Sequence, residues 1–172
     1  MRRLLALILA TAIAAPASAA LNVGAKAPDF ETTGALAGKP FHLHLADQLK
    51  KGPVVLYFFP KAFTGGCTAE AHAFSEATAQ FKKAHAQVIG MSADDLPTLQ
   101  KFSVEECRNA FPVATASRAT IKAYDVKLPI VSMTNRTSYV IARDGRIAVV
   151  HNEMSWKDHV AKSLAAVQAL KP

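Results

Sequence analysis

Val54-Val55-Leu56-Tyr57-Phe58-Phe59-Pro60-Lys61-Ala62-Phe63-Thr64-Gly65-Gly66-Cys67 is the stretch on which the fold turns. Six consecutive apolar residues predict a central strand covered on both faces, because a half-exposed strand would alternate. Pro60 ends it, a glycine-containing loop follows, and Cys67 opens a predicted helix of about five turns in which Phe74, Ala77, Phe81 and Ala84 recur at helical spacing. A thiol at such a place faces unpaired backbone N–H groups and the positive end of the helix dipole, both of which favour the thiolate. The thiolate is the nucleophilic form, so this segment points to cysteine redox chemistry.

Outward from it, strand and helix signals alternate. Val23 to Phe30 reads as an irregular lead-in, and Phe41-His42-Leu43-His44-Leu45 as a strand with one buried face. Gln87 to Ser92 is a further strand. Asp94 or Asp95 caps a helix on which Leu99, Phe102 and Glu106 share a face. Phe111 to Ala114 is a short extended piece, Ala119 to Tyr124 a brief helix and Lys127 to Asn135 a loop. Arg136 to Ala142 and Arg146 to His151 flank an Asp144-Gly145 turn as a hairpin, and Trp156 to Leu170 forms a last helix burying Val160, Leu164, Val167 and Leu170. The pattern predicts an α/β sandwich with a mixed central sheet flanked by helices.

The first 19 of the 172 residues read as a targeting segment: basic Arg2-Arg3, an apolar core from Leu4 to Ala15, and Ala17-Ser18-Ala19 as a cleavage site. That core is too short to span a bilayer as a helix. The expectation is an exported protein, periplasmic rather than secreted, with residues 20–172 as one domain and no membrane attachment after cleavage. Net charge is +7, and +5 once Arg2 and Arg3 leave; the lysines are dispersed with no interleaved aromatics, which excludes nucleic acid as the expected partner. His42 and His44 fall on one strand face, and His72, His85, His151 and His159 are scattered, so no metal site and no cofactor is expected. Absence of a Cys-x-x-Cys pair argues against a dithiol oxidoreductase. With two cysteines in an exported chain, a structural Cys67–Cys107 disulfide worth about 4 kcal/mol stands as the alternative to catalysis.

Pro60-x-x-x-Thr64-x-x-Cys67 resembles the active-site signature of peroxiredoxins, and Tyr57 to Glu70 is most similar to the branch of bacterioferritin comigratory protein and the plant Q type. The likeness extends over nearly all of the chain after the leader, including Val88 to Ser92 and Arg136 to Ile141. It implies a thioredoxin-like fold and thiol-dependent reduction of hydrogen peroxide or organic hydroperoxides. It also implies roles: Cys67 as the attacking thiolate, Thr64 and Arg136 binding the peroxide, Pro60 shielding the sulfur, backbone N–H groups of Gly66 and Cys67 as donors, and Glu70 orienting Arg136. In that fold the strand that Arg136 opens lies antiparallel beside Val54–Phe59, so that the beginning of one meets the end of the other, which would bring the guanidinium to Cys67.

After attack the sulfur becomes a sulfenic acid that a second thiol captures. Many relatives carry that thiol five residues on, where this chain has His72. Cys107 is the remaining candidate, expected on the helix that follows, one turn beyond the position another subset of the branch uses. The resulting disulfide would be reduced by a thioredoxin-like or other dithiol. Proline is commoner in the family where Gly65 stands, so this loop is expected to open more readily. Three readings stay open: a two-cysteine peroxidase, a one-cysteine peroxidase recycled by an outside thiol, and a non-catalytic thioredoxin-like metal-binding or structural module. Monomers are common in the branch, which leaves that state open here.

Overall fold

A computed structural model describes residues 20–129 and 131–170; the predicted leader lies outside them. The strands are β1 (Glu31–Leu36), β2 (Lys39–His44), β3 (Val54–Phe58), β4 (Gln87–Ser92), β5 (Val113–Thr115), β6 (Thr137–Ile141) and β7 (Ile147–Asn152). The helices are α1 (Leu45–Lys51), α2 (Gly65–Lys83), α3 (Leu96–Glu105), α4 (Arg118–Ala123) and α5 (His159–Ala169). One seven-stranded sheet has the order β2-β1-β5-β4-β3-β6-β7; β3, β4 and β5 run parallel to their neighbours among these three, and the remaining pairs are antiparallel. This is the mixed α/β sheet expected.

β3 is buried along its whole length and divides two cores by the two-residue period of a strand. Val55, Tyr57 and Phe59 face the layer of α2, α3 and α5, joining Phe74, Phe81, Phe102 and Val167. Val54, Leu56 and Phe58 face the opposite side, joining Leu45, Ile121, Tyr124 and Tyr139. Tyr57 stacks on Phe74 at 4.4 Å, and Phe59 on Phe102 at 5.4 Å. Both cysteines lie in the first of these cores.

Several boundaries differ from the sequence reading. α2 begins at Gly65, so Cys67 is the third residue of its first turn rather than the opening one. The strand expected through Leu45 stops at His44, and Leu45 starts α1, which ends at Gly52-Pro53. β1 was unforeseen; it pairs with β2 through the two-residue turn Ala37-Gly38, both at positive φ (51° and 75°), as a type I′ hairpin requires. Trp156 precedes α5, which starts at His159. That helix fully buries His159, Ser163 and Val167, while Val160, Leu164 and Leu170 are only partly buried. Cys107 lies one residue past the C-cap of α3, in a turn and not on the helix. Asp95 is the N-cap of α3, accepting from the Thr98 N–H at 3.0 Å.

Candidate active site

The loop between β3 and α2 is pinned at its start and at its middle. The Ala62 N–H donates to Asp94 Oδ2 at 2.8 Å, and the Thr134 hydroxyl donates to the carbonyl of Phe59 at 2.6 Å. This second bond aligns the segment before β6 with the end of β3, and the antiparallel register continues it: Thr137 opposes Phe58. Arg136 therefore emerges where β3 gives way to the loop. The expected meeting of one strand's start with the other's end is present.

Arg136 is 4% exposed and each of its donor nitrogens is engaged. Nε donates to the carbonyl of Met154 at 2.9 Å, Nη1 donates to Glu70 Oε2, and Nη2 lies 3.4 Å from Cys67 Sγ. Cys67 is 2% exposed and Glu70 completely buried, one turn further along the same helix face. Burial pushes the Glu70 carboxyl up to about 8, with Arg136 opposing the rise. A Cβ at Gly66 would come within 3.3 Å of Arg136 Nη2, so glycine there lets the guanidinium approach the helix start. The first intrahelical bond runs from the Thr68 N–H to the Thr64 carbonyl at 2.9 Å, which leaves the N–H groups of Gly66 and Cys67 without an intrahelical acceptor.

Thr64 occupies the N-cap position of α2 with extended backbone but makes no side-chain cap; its exposed hydroxyl donates to the carbonyl of Lys61 at 2.9 Å. Pro60 is half-buried at the bend after β3. Cys107 is completely buried and, like Cys67, a free thiol. Burial, then the neighbouring Glu106 carboxylate, push the Cys107 thiol well up. Its turn is tied to α2 from both sides: His72 Nε2 to Glu106 Oε2 at 2.7 Å and Arg108 Nη1 to Glu76 Oε1 at 3.2 Å. His72, five residues on from Cys67, thus helps hold the Cys107 segment in place.

One residue near the site gave no signal in the sequence. His159, the first of α5, is completely buried behind Glu70, with Nδ1 3.6 Å from Glu70 Oε1 and 2.8 Å from Ser138 Oγ. His42 and His44 pair instead with Glu31, Asp29 and Asp47 at the far sheet edge. Among the described residues no group of three or more histidines, cysteines and carboxylates is placed to hold a metal ion, and no helix is long and apolar enough to cross a membrane.

A buried thiol lies under a forked arginine, at the start of a helix entered from a central strand, and the chain as a whole resembles known proteins in sequence and fold. The profile of the AhpC/TSA family matches residues 23–150. The chain belongs to the AhpC/TSA peroxiredoxin family. Among solved structures, peroxidoxin BcpB of Mycobacterium tuberculosis superposes with a TM-score of 0.75 at 31% identity, covering 87% of this chain and 98% of that one. The chloroplastic peroxiredoxin Q of Populus jackii is 32% identical over 88% of this chain and 70% of its own length. Peroxiredoxin Q of Xanthomonas campestris superposes with a TM-score of 0.71 at 26% identity, over 80% of this chain and 89% of that one. The peroxiredoxin is thus of the Q type, with the thioredoxin-like fold, and is a thiol-dependent peroxidase whose substrates are a peroxide and a thiol reductant.

Proposed function

We propose that this peroxiredoxin reduces peroxides by attack of the Cys67 thiolate, followed by capture of the sulfenic acid by Cys107. The observation that carries the reading is the fork of Arg136, with Nη2 3.4 Å from Cys67 Sγ and Nη1 on Glu70. A cation held there favours the thiolate and polarises the bound peroxide. Sulfur attacks one oxygen in line while the O–O bond breaks, so negative charge moves onto the departing oxygen. Arg136 and the free N–H groups of Gly66 and Cys67 are the donors that meet it. Thr64 turns its hydroxyl from Lys61 to a peroxide oxygen, and Pro60, which offers no N–H, covers the sulfur. Glu70 orients the arginine.

Resolution requires α2 to unwind at its first turn, because a disulfide needs Cα atoms within about 7 Å. Gly65, where a Cβ would meet nothing within 4 Å, gives that turn backbone freedom. An external dithiol, thioredoxin-like in kind, then reduces the Cys67–Cys107 bond. The complete burial of Cys107 supports a second reading, in which an outside thiol reduces Cys67 directly. We infer from the leader an exported, periplasmic protein free of the membrane and made of residues 20–172, and from its likeness to the Q-type branch, where monomers are common, a monomer. N-terminal sequencing of the cell-envelope fraction and a sedimentation run test those two points.

One equivalent of hydrogen peroxide, with mass and free thiols followed in wild type, Cys67→Ser and Cys107→Ser, tests the mechanism. Rapid disulfide in wild type, trapped sulfenic acid in Cys107→Ser and an inert Cys67→Ser are expected. Equal turnover by Cys107→Ser with an added monothiol would favour the one-cysteine route. A Cys67–Cys107 bond that forms without dependence on peroxide would favour a structural module.

A further inference from the structure

Four ionisable side chains, Cys67 among them, meet in the buried site, and the proposed reaction uses only three. Cys67 is 2% exposed, Glu70 0%, Arg136 4% and His159 0%. Glu70 spends Oε2 on Arg136, while Oε1 has no hydrogen-bond partner and faces His159 Nδ1 at 3.6 Å. His159 Nε2 is 2.9 Å from the carbonyl of Glu153, an acceptor only, so Nε2 carries hydrogen and Nδ1 is the titratable edge. Ser138 Oγ, 2.8 Å from Nδ1, can donate or accept and suits Nδ1 in either state.

The charge count then decides. With Cys67 as a thiol, Arg136 and Glu70 cancel. With Cys67 as a thiolate, Arg136 faces two anions, and the pocket carries an uncompensated buried negative charge, which is costly at this depth. One proton on the Glu70–His159 pair restores neutrality and leaves the whole of the arginine's charge to the sulfur. It also gives the orphaned Oε1 a partner.

We propose that Glu70 and His159 together hold one buried proton whenever Cys67 is ionised, with His159 a positioning residue that acts on the sulfur through Glu70 and Arg136. This rests on Cys67 being the attacking thiolate. The groups that face His159 agree with that placement. From β7 the His151 ring lies 4.4 Å away; Arg136 and Lys162 add positive charge, and burial pushes His159 down to about 4. The imidazole is accordingly neutral and the proton sits on Glu70, whose carboxyl burial raises.

The proton balance closes within the pocket. The Cys67 S–H bond loses its proton to the pair. An S–O bond then forms as the O–O bond breaks, the departing oxygen takes the electron pair, and the pair's proton completes the alcohol or water. Sulfur is oxidised by two electrons and the peroxide reduced by two, for a net thiol plus hydroperoxide to sulfenic acid plus alcohol.

The test is the second-order rate with hydrogen peroxide from pH 5 to 9 for wild type and His159→Gln, which keeps an N–H for Glu153 but takes away the imidazole Nδ1 that accepts from the protonated Glu70. The midpoint of the variant's profile is expected to move up by about one unit. The rate then falls about tenfold on the acid side and converges with wild type at high pH. A loss by one constant factor at every pH is what a merely structural role would give, and overturns the proposal, as does a superimposable profile. Should the variant not fold, the unsubstituted protein with ¹⁵N-labelled histidine is read before and after Cys67 is blocked with a neutral thiol reagent. A changed imidazole resonance and pH response for His159 is expected; unchanged resonances overturn the proposal. A wild type inert to peroxide at every pH overturns instead the assignment of Cys67 on which it rests.

Discussion

At the residue scale the site is dominated by one side chain with three fixed partners. Arg136 touches Met154, Glu70 and Cys67 at once, a geometry that needs a planar fork and that a lysine's single ammonium cannot reproduce. Arg136→Lys is therefore expected to keep the fold, by circular dichroism, and to lower the rate of peroxide consumption about 10²-fold, the usual cost of removing one preorganised donor. A rate within a few-fold of wild type would show that charge alone suffices. Tyr57 makes the opposite case. Its ring stacks on Phe74, but its hydroxyl is buried without a hydrogen-bond partner among the described residues. Such a group costs about 1–3 kcal/mol of desolvation. Tyr57→Phe keeps the ring and removes the penalty, so the denaturant midpoint is expected to rise by an amount corresponding to about 1 kcal/mol. A fall would mean that the hydroxyl is paired in solution.

At the element scale the proposed resolution asks the turn that carries Cys107 to give way along with the first turn of α2, and the Cys107 turn is latched to α2. His72 and Glu76 are one turn apart on that helix, and they grip Glu106 and Arg108, the residues on either side of the cysteine. Arg108 and Asn109 both sit at positive φ (52° and 59°), so the turn is held in a conformation that arginine in particular disfavours. Glu106→Ala breaks the tighter, half-buried pair, worth about 1 kcal/mol. Disulfide formation after a peroxide pulse is expected to speed up roughly five-fold, with sulfenic acid formation unchanged; quenched-flow thiol counting reads both, and an unchanged disulfide rate would place the barrier in α2 instead. The same element shows what a sequence can and cannot reveal. Val54 to Cys67 was legible because an apolar run, a proline and glycines are local signals, and the Asp144-Gly145 hairpin for the same reason. β1 was not, since Glu31-Thr32-Thr33-Gly34 lacks apolar alternation and Ala37-Gly38 is a weak turn signal. Arg136 and Glu70 were readable only through their resemblance to a known motif. His159 was unreadable: its meaning comes from α2, β6 and the β7–α5 connection, which only the folded chain brings together.

At the scale of the whole molecule, burying the site at the centre of the sheet makes its proton inventory a property of folding as well as of catalysis. Glu70 has a folded value of about 8 against an ordinary 4.5, raised by burial. Its neutral form is the one the fold prefers, so its contribution is fully present below about 4.5 and is lost as pH rises through about 8. His159, lowered to about 4 from 6.5 by burial, acts in the other sense: the fold gains as pH rises from about 4 to 6.5. The two oppose one another below pH 6.5 and cease to do so above it. His44, raised chiefly by its bond to Asp29 at the exposed sheet edge, adds to the decline from the ordinary histidine value upward. Stability of the reduced protein, measured as a urea midpoint, is therefore expected to fall steadily between pH 6.5 and 8. In Glu70→Gln, which cannot ionise, the slope over that window should shrink to the part His44 supplies. Equal slopes in the two proteins would mean that Glu70 is already ionised at pH 6.5, with Arg136 outweighing burial. The pocket would then have to find the thiolate's compensating proton on His159.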